Sequence, residues 1–433
     1  MESIWMDAPL ITFPQLKTDI KTDVLIIGGG MAGLLCGYQL QQSGISCVIA
    51  EAVRVAGGIT QNTTAKITAQ HGLCYTGLIS RFGTGIAGLY LEASEQALEA
   101  YRRLCRQIDC NWKEQDNYVY STENRRKLES ELSSLQALGY PAQLAENLPL
   151  PFPTVGAVRF PHQAQFHPLK FLSAMVPMLT IYEQTPVRQL VRNRAITDHG
   201  SIRAEKIIVT THFPFLNKHG SYFMKLYQQR SYVLALENVP SLDGMYLDEA
   251  ENGLSFRSYG NHLLLGGGGH RTGKHGGGWT ELEQTARQYY PKARITHRWA
   301  TQDCMSLDGI PYIGQYSART ETLYVATGFN KWDMTSSMVA AQLLTDLVLN
   351  KENPYAEVFS PSRSIVHPQL GINLMESAKN LLSLSPRRCP HLGCSLKWNP
   401  QEHSWDCPCH GSRFTEDGTL IDNPATGDLR KRE

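Results

Sequence analysis

No stretch of this chain approaches the ~18 consecutive apolar residues that a bilayer-spanning helix needs. Its opening, Met1-Glu2-Ser3-Ile4-Trp5-Met6-Asp7, lacks the basic stretch and apolar core of an export leader. Neither sign of charge dominates. The 41 Lys and Arg against 40 Asp and Glu leave a net charge of +1, too little to gather nucleic acid or an anionic membrane. There is no internal repeat, so a solenoid is set aside. These absences describe a soluble chain, expected in the cytoplasm, with no transmembrane segment and no nucleic-acid partner. Its 433 residues suffice for roughly three compact units. Cysteine is unevenly spread. Cys36, Cys47, Cys74, Cys105, Cys110 and Cys304 are scattered and read as reduced core residues, whereas four others crowd into the C-terminal tail.

Those four stand in Cys389-Pro390-His391-Leu392-Gly393-Cys394 and Cys407-Pro408-Cys409-His410-Gly411-Ser412. The Cys-x-His and Cys-x-x-His within them offer two thiolates and two imidazoles, the mixed ligation of a Rieske [2Fe–2S] centre. Neutral imidazoles leave such a cluster less negative than four thiolates would, so its potential rises and it accepts electrons more readily. Zinc uses the same donor types and is the alternative, although it does not require six placed Cys and His residues with these flanks. Cys394 and Cys409, one in each box, can form a disulfide joining the two loops.

Both boxes closely resemble the cluster loops of Rieske proteins in cytochrome bc-type complexes. That resemblance implies Cys389 and Cys407 on one iron and His391 and His410 on the other, with Leu392 shielding the cluster. It also implies that Ser412 donates to a bridging sulfide and that Asn423-Pro424-Ala425 covers the third side. Phe414 stands where high-potential members carry a tyrosine, so one hydrogen bond to a ligand sulfur is missing and a lower potential is expected.

At the other end, Asp23-Val24-Leu25-Ile26-Ile27 reads as a buried parallel strand. It runs into Gly28-Gly29-Gly30-Met31-Ala32-Gly33 and a helix from Leu34 to Ser43. In this G-x-G-x-x-G, Gly28 permits the tight turn, Gly30 lets backbone approach a pyrophosphate, and Gly33 lets helix pack on strand. The free N–H groups at Met31 and Ala32, with the positive end of the helix dipole, suit the phosphates. A second strand, residues 45–50, ends at Glu51, whose carboxylate is placed to accept hydrogen bonds from a ribose diol, with Ala52 beside it. A dinucleotide site follows, holding either NAD or FAD.

Three later features favour FAD: the small, polar stretch from Gly57 to Lys66, the strand from Glu205 ending at Thr210-Thr211-His212, and Asp308-Gly309-Ile310-Pro311-Tyr312-Ile313-Gly314 before a strand, a Gly328-Phe329 turn and a helix. This discontinuous order resembles the D-amino-acid oxidase (glycine oxidase-like) superfamily. The resemblance implies an α/β fold: a discontinuous Rossmann-like FAD-binding domain, an antiparallel-sheet substrate domain, and here a small all-β Rieske subdomain. FAD-binding parts are expected at about 20–80, 155–215 and 300–350, substrate parts at about 85–150 and 216–299, a linker at 361–388, and the cluster unit at 389–433. Gly58, Ile59, Thr60, Thr63, Thr64, Ala65, Val187, Thr210, Thr211, Asp308, Gly328, Phe329, Lys331, Trp332, Met334 and Thr335 are the further residues expected along FAD. No Cys or His demands a covalent link to it.

Joined, the cofactors imply a dehydrogenase. Flavin takes a hydride from a small amine, amino acid or hydroxy compound, and the cluster accepts the electrons one at a time for a soluble electron-transfer partner. Two alternatives stay open: an oxygen-using oxidase with a regulatory cluster, and an electron-transfer or redox-sensing flavoprotein with no small substrate. Lys66, Arg230, Tyr232, His270 and Lys331 are the candidate catalytic residues, with His71, Arg271 and Lys274 as further substrate contacts. Lys66 is expected at the flavin ring, with a surface or phosphate role as its competitor. Arg230 and Tyr232 are expected on the sheet roofing the flavin, where an arginine fork suits a carboxylate and a structural ion pair is the competing reading. The Gly266–Lys274 segment reads as an anion-binding loop or a plain hairpin.

Overall fold

The computed structural model describes residues 2–8, 10–216, 219–383, 385 and 387–429. Met1, two positions of the expected linker (384 and 386) and the last four residues of the expected cluster unit lie outside the described residues.

Four separated stretches of chain build the first sheet, in the order Tyr312–Gln315, Leu323–Thr327, Ser201–Val209, Ile20–Ile27, Cys47–Ala50, Ile181–Tyr182. Neighbours along this path are parallel except Tyr312–Gln315, and a hairpin of Gln189–Val191 and Arg194–Ile196 adds antiparallel to Ser201–Val209. Its central strands are apolar without alternation because both faces are covered; Val24, Leu25, Ile26 and Ile27 are all buried. Helices Met31–Gln42 and Asp333–Val348, far apart in sequence, pack on each other over one face. The discontinuous nucleotide domain expected from the family resemblance is therefore present.

The second sheet runs Arg294–Ser306, Leu226–Glu237, His262–Arg271, Ser255–Tyr259, Met245–Asp248, Lys113–Ser121, Gly156–Gln165, Lys66–Ile67. It is antiparallel apart from the Met245–Asp248 pairing with Lys113–Ser121. Two segments expected with the nucleotide part, Lys66–Ile67 and Gly156–Gln165, pair here, as their ladder Lys66↔Gln165 shows. A period-2 alternation sorts the Leu226–Glu237 strand. Val233 and Ala235 join the large core shared with the nucleotide helices, while Tyr232, Leu234 and Leu236 point to a separate core under Trp279.

The third sheet is small and antiparallel: Lys397–Asn399, Ser404–Asp406, Arg413–Thr415, Leu420–Asp422. It docks on the outer face of the second sheet. Glu402, nearly buried, receives Arg230 Nε at 3.0 Å, the Tyr232 hydroxyl at 2.9 Å and Arg413 Nη2 at 2.8 Å. Arg230 Nη2 closes the fork on the second carboxylate oxygen. Arg413 also bonds Asp406 at 3.0 Å and Asp422 at 3.2 Å. Burial alone would raise the Glu402 carboxyl, but Arg230 and Arg413 more than offset it and hold it down to about 2.

Breaking a buried pair by removing one partner costs about 3–5 kcal/mol, so Glu402→Gln should loosen this contact. The expected result is a lower melting temperature. The folded value lies below the ordinary 4.5, so the stabilisation is present at neutral pH and fades as pH falls from there toward about 2. The wild-type melting temperature should hold at pH 5 and fall progressively in that acid window, while Glu402→Gln shows a weaker dependence there, as calorimetry across that range would report.

Candidate functional site

The expected dinucleotide turn is built as its glycines require. Gly28 has φ +112°, and a Cβ there would meet the Thr210 carbonyl oxygen at 2.7 Å. A Cβ on Gly33 would stand 2.0 Å from the Gly28 oxygen, so helix and turn can approach only with glycine. Gly30 is open, with the Thr60 hydroxyl its nearest neighbour at 3.5 Å from such a Cβ. That hydroxyl accepts from the Met31 N–H at 3.0 Å, with Ala32 following in the first helical turn. Glu51 ends the strand Cys47–Ala50 and accepts from Gly29 N at 2.7 Å and Val53 N at 2.9 Å; burial raises its carboxyl. Its backbone, next to Ala52, is tied to Tyr182 and Thr185, which brings the Val187 segment alongside. These residues fit a dinucleotide.

The closing segment lies opposite. Gly328 (φ +72°) and Phe329 lead to Asn330 and Lys331, whose φ angles of 55° and 74° turn the chain into the helix Asp333–Val348. Thr335 Oγ1 donates to the Thr68 carbonyl at 2.8 Å, and Met334 O accepts from Tyr101 at 2.9 Å. The Gly58–Ala65 stretch is thus fixed from two sides: Trp5 Nε1 donates to Thr63 O at 2.8 Å and Trp299 Nε1 to Asn62 O at 3.0 Å. Ile59 precedes the Thr60 turn, and the exposed carbonyl side at Gly58 accepts from Asn62. Between these walls His71 is stacked 4.9 Å from Trp332. Its Nε2 lies 2.8 Å from the Thr68 carbonyl and so donates, leaving Nδ1 to accept from Tyr90 at 2.6 Å. Burial holds His71 neutral, down to about 3. Asp308, expected along the flavin, is instead forked by Arg363 at 2.7 and 2.8 Å and caps the Ile310 turn; burial raises its carboxyl but Arg363 brings it below the usual range.

The candidate catalytic set does not come together. Arg230, Tyr232 and His270 face the cluster unit, because residues 228, 230 and 232 lie on the outer side of the pleat. The fork expected for a substrate carboxylate holds Glu402. Arg271 donates to the Pro408 and Cys409 carbonyls, and Lys274 pairs with Glu376 at 2.6 Å, so the Gly266–Lys274 loop also serves docking. Lys331 is exposed on the closing loop. Lys66 alone among them is on the inner side, where burial, and then Arg257, push its ammonium down to about 7. Arg257 was not expected. Buried beside Trp5, it spends one nitrogen on Gln165; its Nε and Nη2, like both side-chain polar atoms of buried Gln115, have no partner among the described residues. Only strand parity on Ser255–Tyr259 could have signalled it.

In the third sheet's loops Cys389, Cys407 and His410 are buried and His391 half-buried, and the two imidazoles stand 5.0 Å apart. Burial holds His391 and His410 neutral, the ligating form, and His410 Nδ1 is buried with no hydrogen-bond partner among the described residues. A shared hydrogen bond lowers the Cys389 thiol and raises that of Cys407. Cys394 and Cys409 form a disulfide, and Ser412 Oγ accepts from Ala425 N at 3.0 Å. The donor set fits a [2Fe–2S] cluster.

Both histidines are turned inward. Phe213 lies 6.3 Å from His391 and 6.1 Å from His410, ring to ring. Asn423 Nδ2 donates to the Thr211 and Phe213 carbonyls at 2.5 and 2.7 Å, while Gln228 Nε2 reaches His410 O at 2.8 Å and Gln302 Nε2 reaches Gly411 O at 2.9 Å. Thr210, beginning the same segment, bonds the Gly28 carbonyl at 3.0 Å. Residues 210–213 therefore connect the dinucleotide turn to the cluster's histidine edge.

The family described as FAD dependent oxidoreductase matches residues 23–347, and the Rieske [2Fe-2S] domain matches 371–433. Over 99% of its length the chain is 36% identical to the Bacillus subtilis (strain 168) protein YhfW, which is named for a Rieske 2Fe-2S iron-sulfur centre, and it covers 97% of that protein. In fold it is similar to glycine oxidase from Geobacillus kaustophilus (TM-score 0.66, 21% identity, 80% of this chain and 99% of that one). It is likewise similar to L-proline dehydrogenase from P. horikoshii (TM-score 0.67, 13% identity, 81% and 98%).

Two outcomes follow. Gly33→Ala should yield protein without visible flavin absorbance, since its methyl would occupy the helix–turn contact. Phe414→Tyr, at a fully buried position, should raise the cluster potential in a dye-mediated redox titration; an unchanged potential would remove Phe414 as the cause of a low one.

Proposed function

Since the chain belongs to the FAD-dependent oxidoreductase family and ends in a Rieske [2Fe-2S] domain, we propose that it is a dehydrogenase that sends substrate electrons singly into its own cluster. The substrate is a small amine, amino acid or hydroxy compound. The solved neighbours are named for glycine oxidation and L-proline dehydrogenation, which makes amino acids the first compounds to try. The observation that carries the reading is the inward histidine edge: His391 and His410 meet Phe213, three residues from the threonine that bonds the dinucleotide turn.

When bound, FAD supplies hydride acceptance and the cluster a one-electron sink. The chain's own residues do the rest. Arg257, with two unpaired nitrogens on the inner face, orients an anionic substituent of the substrate. Lys66 Nζ, held near neutrality, takes the proton that leaves the substrate nitrogen or oxygen. The stacked pair His71 and Trp332 walls the site and excludes water, and the tautomer of His71 is fixed by Thr68. Asn423 and Gln228 hold the cluster loops at the Thr211–Phe213 segment.

Anaerobic mixing with a panel of amino acids, amines and hydroxy acids tests this. A true substrate should bleach the flavin and then raise the reduced-cluster EPR signal, while Cys389→Ser should bleach without that signal and lose turnover with one-electron acceptors. Peroxide production at an undiminished rate in Cys389→Ser would make the protein an oxidase with a regulatory cluster. Reduction by a protein donor but by no compound on the panel would make it an electron-transfer adaptor.

A further inference from the structure

The helix Pro368–Leu382, between the oxidoreductase and the cluster boxes, is amphipathic the wrong way round. Its polar side faces the protein. Asn373 and Asn380 are buried; Asn373 Oδ1 accepts from Arg271 Nη1 at 2.9 Å, and Glu376 pairs with Lys274. Its apolar side faces solvent: Leu374 is 47% exposed, Met375 67%, Leu381 46% and Leu382 82%, with Ala378 exposed between them. The spacing 374/375, 378, 381/382 is a single helical stripe. A solvated helix with its apolar stripe outward exposes surface that a partner normally covers.

The stripe runs onto the cluster. A Cβ placed on Gly393, within the first ligand loop, would stand 4.0 Å from Leu381 Cδ2, and the neighbouring Leu392 is 41% exposed. Arg388 Nη1 joins the two by donating to Leu381 O at 2.9 Å and Gly393 O at 3.1 Å. The histidine edge is already occupied by Phe213, so an electron that has entered there leaves by another side of the cluster. Leu392 and Gly393 form the exposed side that the helix flanks.

From these observations we infer that the Leu374–Leu382 stripe together with Leu392 is the docking surface for a small acidic one-electron carrier protein. This rests on the dehydrogenase reading above. Size favours a transient carrier over a second copy of the chain. One stripe on a helix about 22 Å long is a patch of a few hundred Å², whereas a stable interface takes roughly 800 Å² from each partner and electron-transfer encounters use less. Charge favours an acidic carrier. Among the described residues, Lys379 and Arg388 at the stripe form no ion pair, Arg388 donating only to backbone carbonyls, while Glu376 is taken by Lys274. The step balances simply: the reduced cluster loses one electron, the carrier gains one, and no proton moves.

The test uses holoprotein reduced with dithionite, freed of excess reductant and mixed in a stopped-flow instrument with oxidised plant plastocyanin, an acidic blue-copper carrier of high enough potential to accept from a Rieske cluster, or, separately, ferricyanide. Met375→Glu with Leu382→Glu, both at exposed positions, should slow plastocyanin reduction about tenfold or more. Ferricyanide reduction, flavin content and the cluster EPR spectrum should be unchanged. The wild-type plastocyanin rate should fall as salt is added. Cys389→Ser separates the two claims: if it reduces plastocyanin as fast as wild type, the electron-port reading fails. If it is slow while the glutamate variant matches wild type, the docking surface alone is wrong. Three further results would also overturn the inference: a wild type that reduces plastocyanin no faster than the glutamate variant, a wild-type dimer in sedimentation equilibrium that the glutamates dissociate, or wild-type binding to phosphatidylglycerol vesicles that they abolish.

Discussion

The arrangement depends on one buried carboxylate. Glu402 leaves water only because two guanidiniums, Arg230 from the substrate sheet and Arg413 from the cluster sheet, meet it there with the Tyr232 hydroxyl. A desolvated charge left unpaired costs several kcal/mol, so the contact fixes register: no nearby placement of the cluster unit satisfies the same groups. Around it sit weaker directional bonds, from Gln228, Gln302 and Asn423 to backbone carbonyls, which aim the ligand loops at Thr211–Phe213. Charge holds the unit in place and the amides orient it.

The pleat of the Leu226–Glu237 strand divides the labour. Its even positions from 228 to 232 hold the cluster unit, while Ser231 and Val233 face the other way, Ser231 bonding Asp303 and Val233 entering the core shared with the nucleotide helices. A single strand thus has the cluster unit on one side and the large core shared with the nucleotide helices on the other. On that inner side Arg257 is buried and Lys66 half-buried, and among the described residues neither has a carboxylate partner.

Both ends of the chain were legible because their chemistry is local. Gly28, Gly30 and Gly33 lie within one turn, Glu51 closes the next strand, and the cluster donors sit in two boxes of a few residues each. Packing that joins distant segments was not. Arg230 and Tyr232 carry the right groups for a substrate carboxylate, but which face they take depends on strand register, and a shift by one residue reverses it. The resemblance put Asp308 toward the flavin side, with a turn cap as the other reading; it caps the Ile310 turn, and its fork with Arg363, more than fifty positions away, has no local signal. Arg257 and Phe213 carry no motif; their importance comes from what the fold leaves beside them.

What the C-terminal donors hold decides whether electrons can leave through the tail. Anaerobically prepared protein should be reduced with dithionite for EPR, with iron and zinc determined on the same sample. A rhombic signal of low average g and about two irons per chain is the predicted result. An EPR-silent protein with one zinc per chain would make the tail a structural clip and contradict the electron path described here.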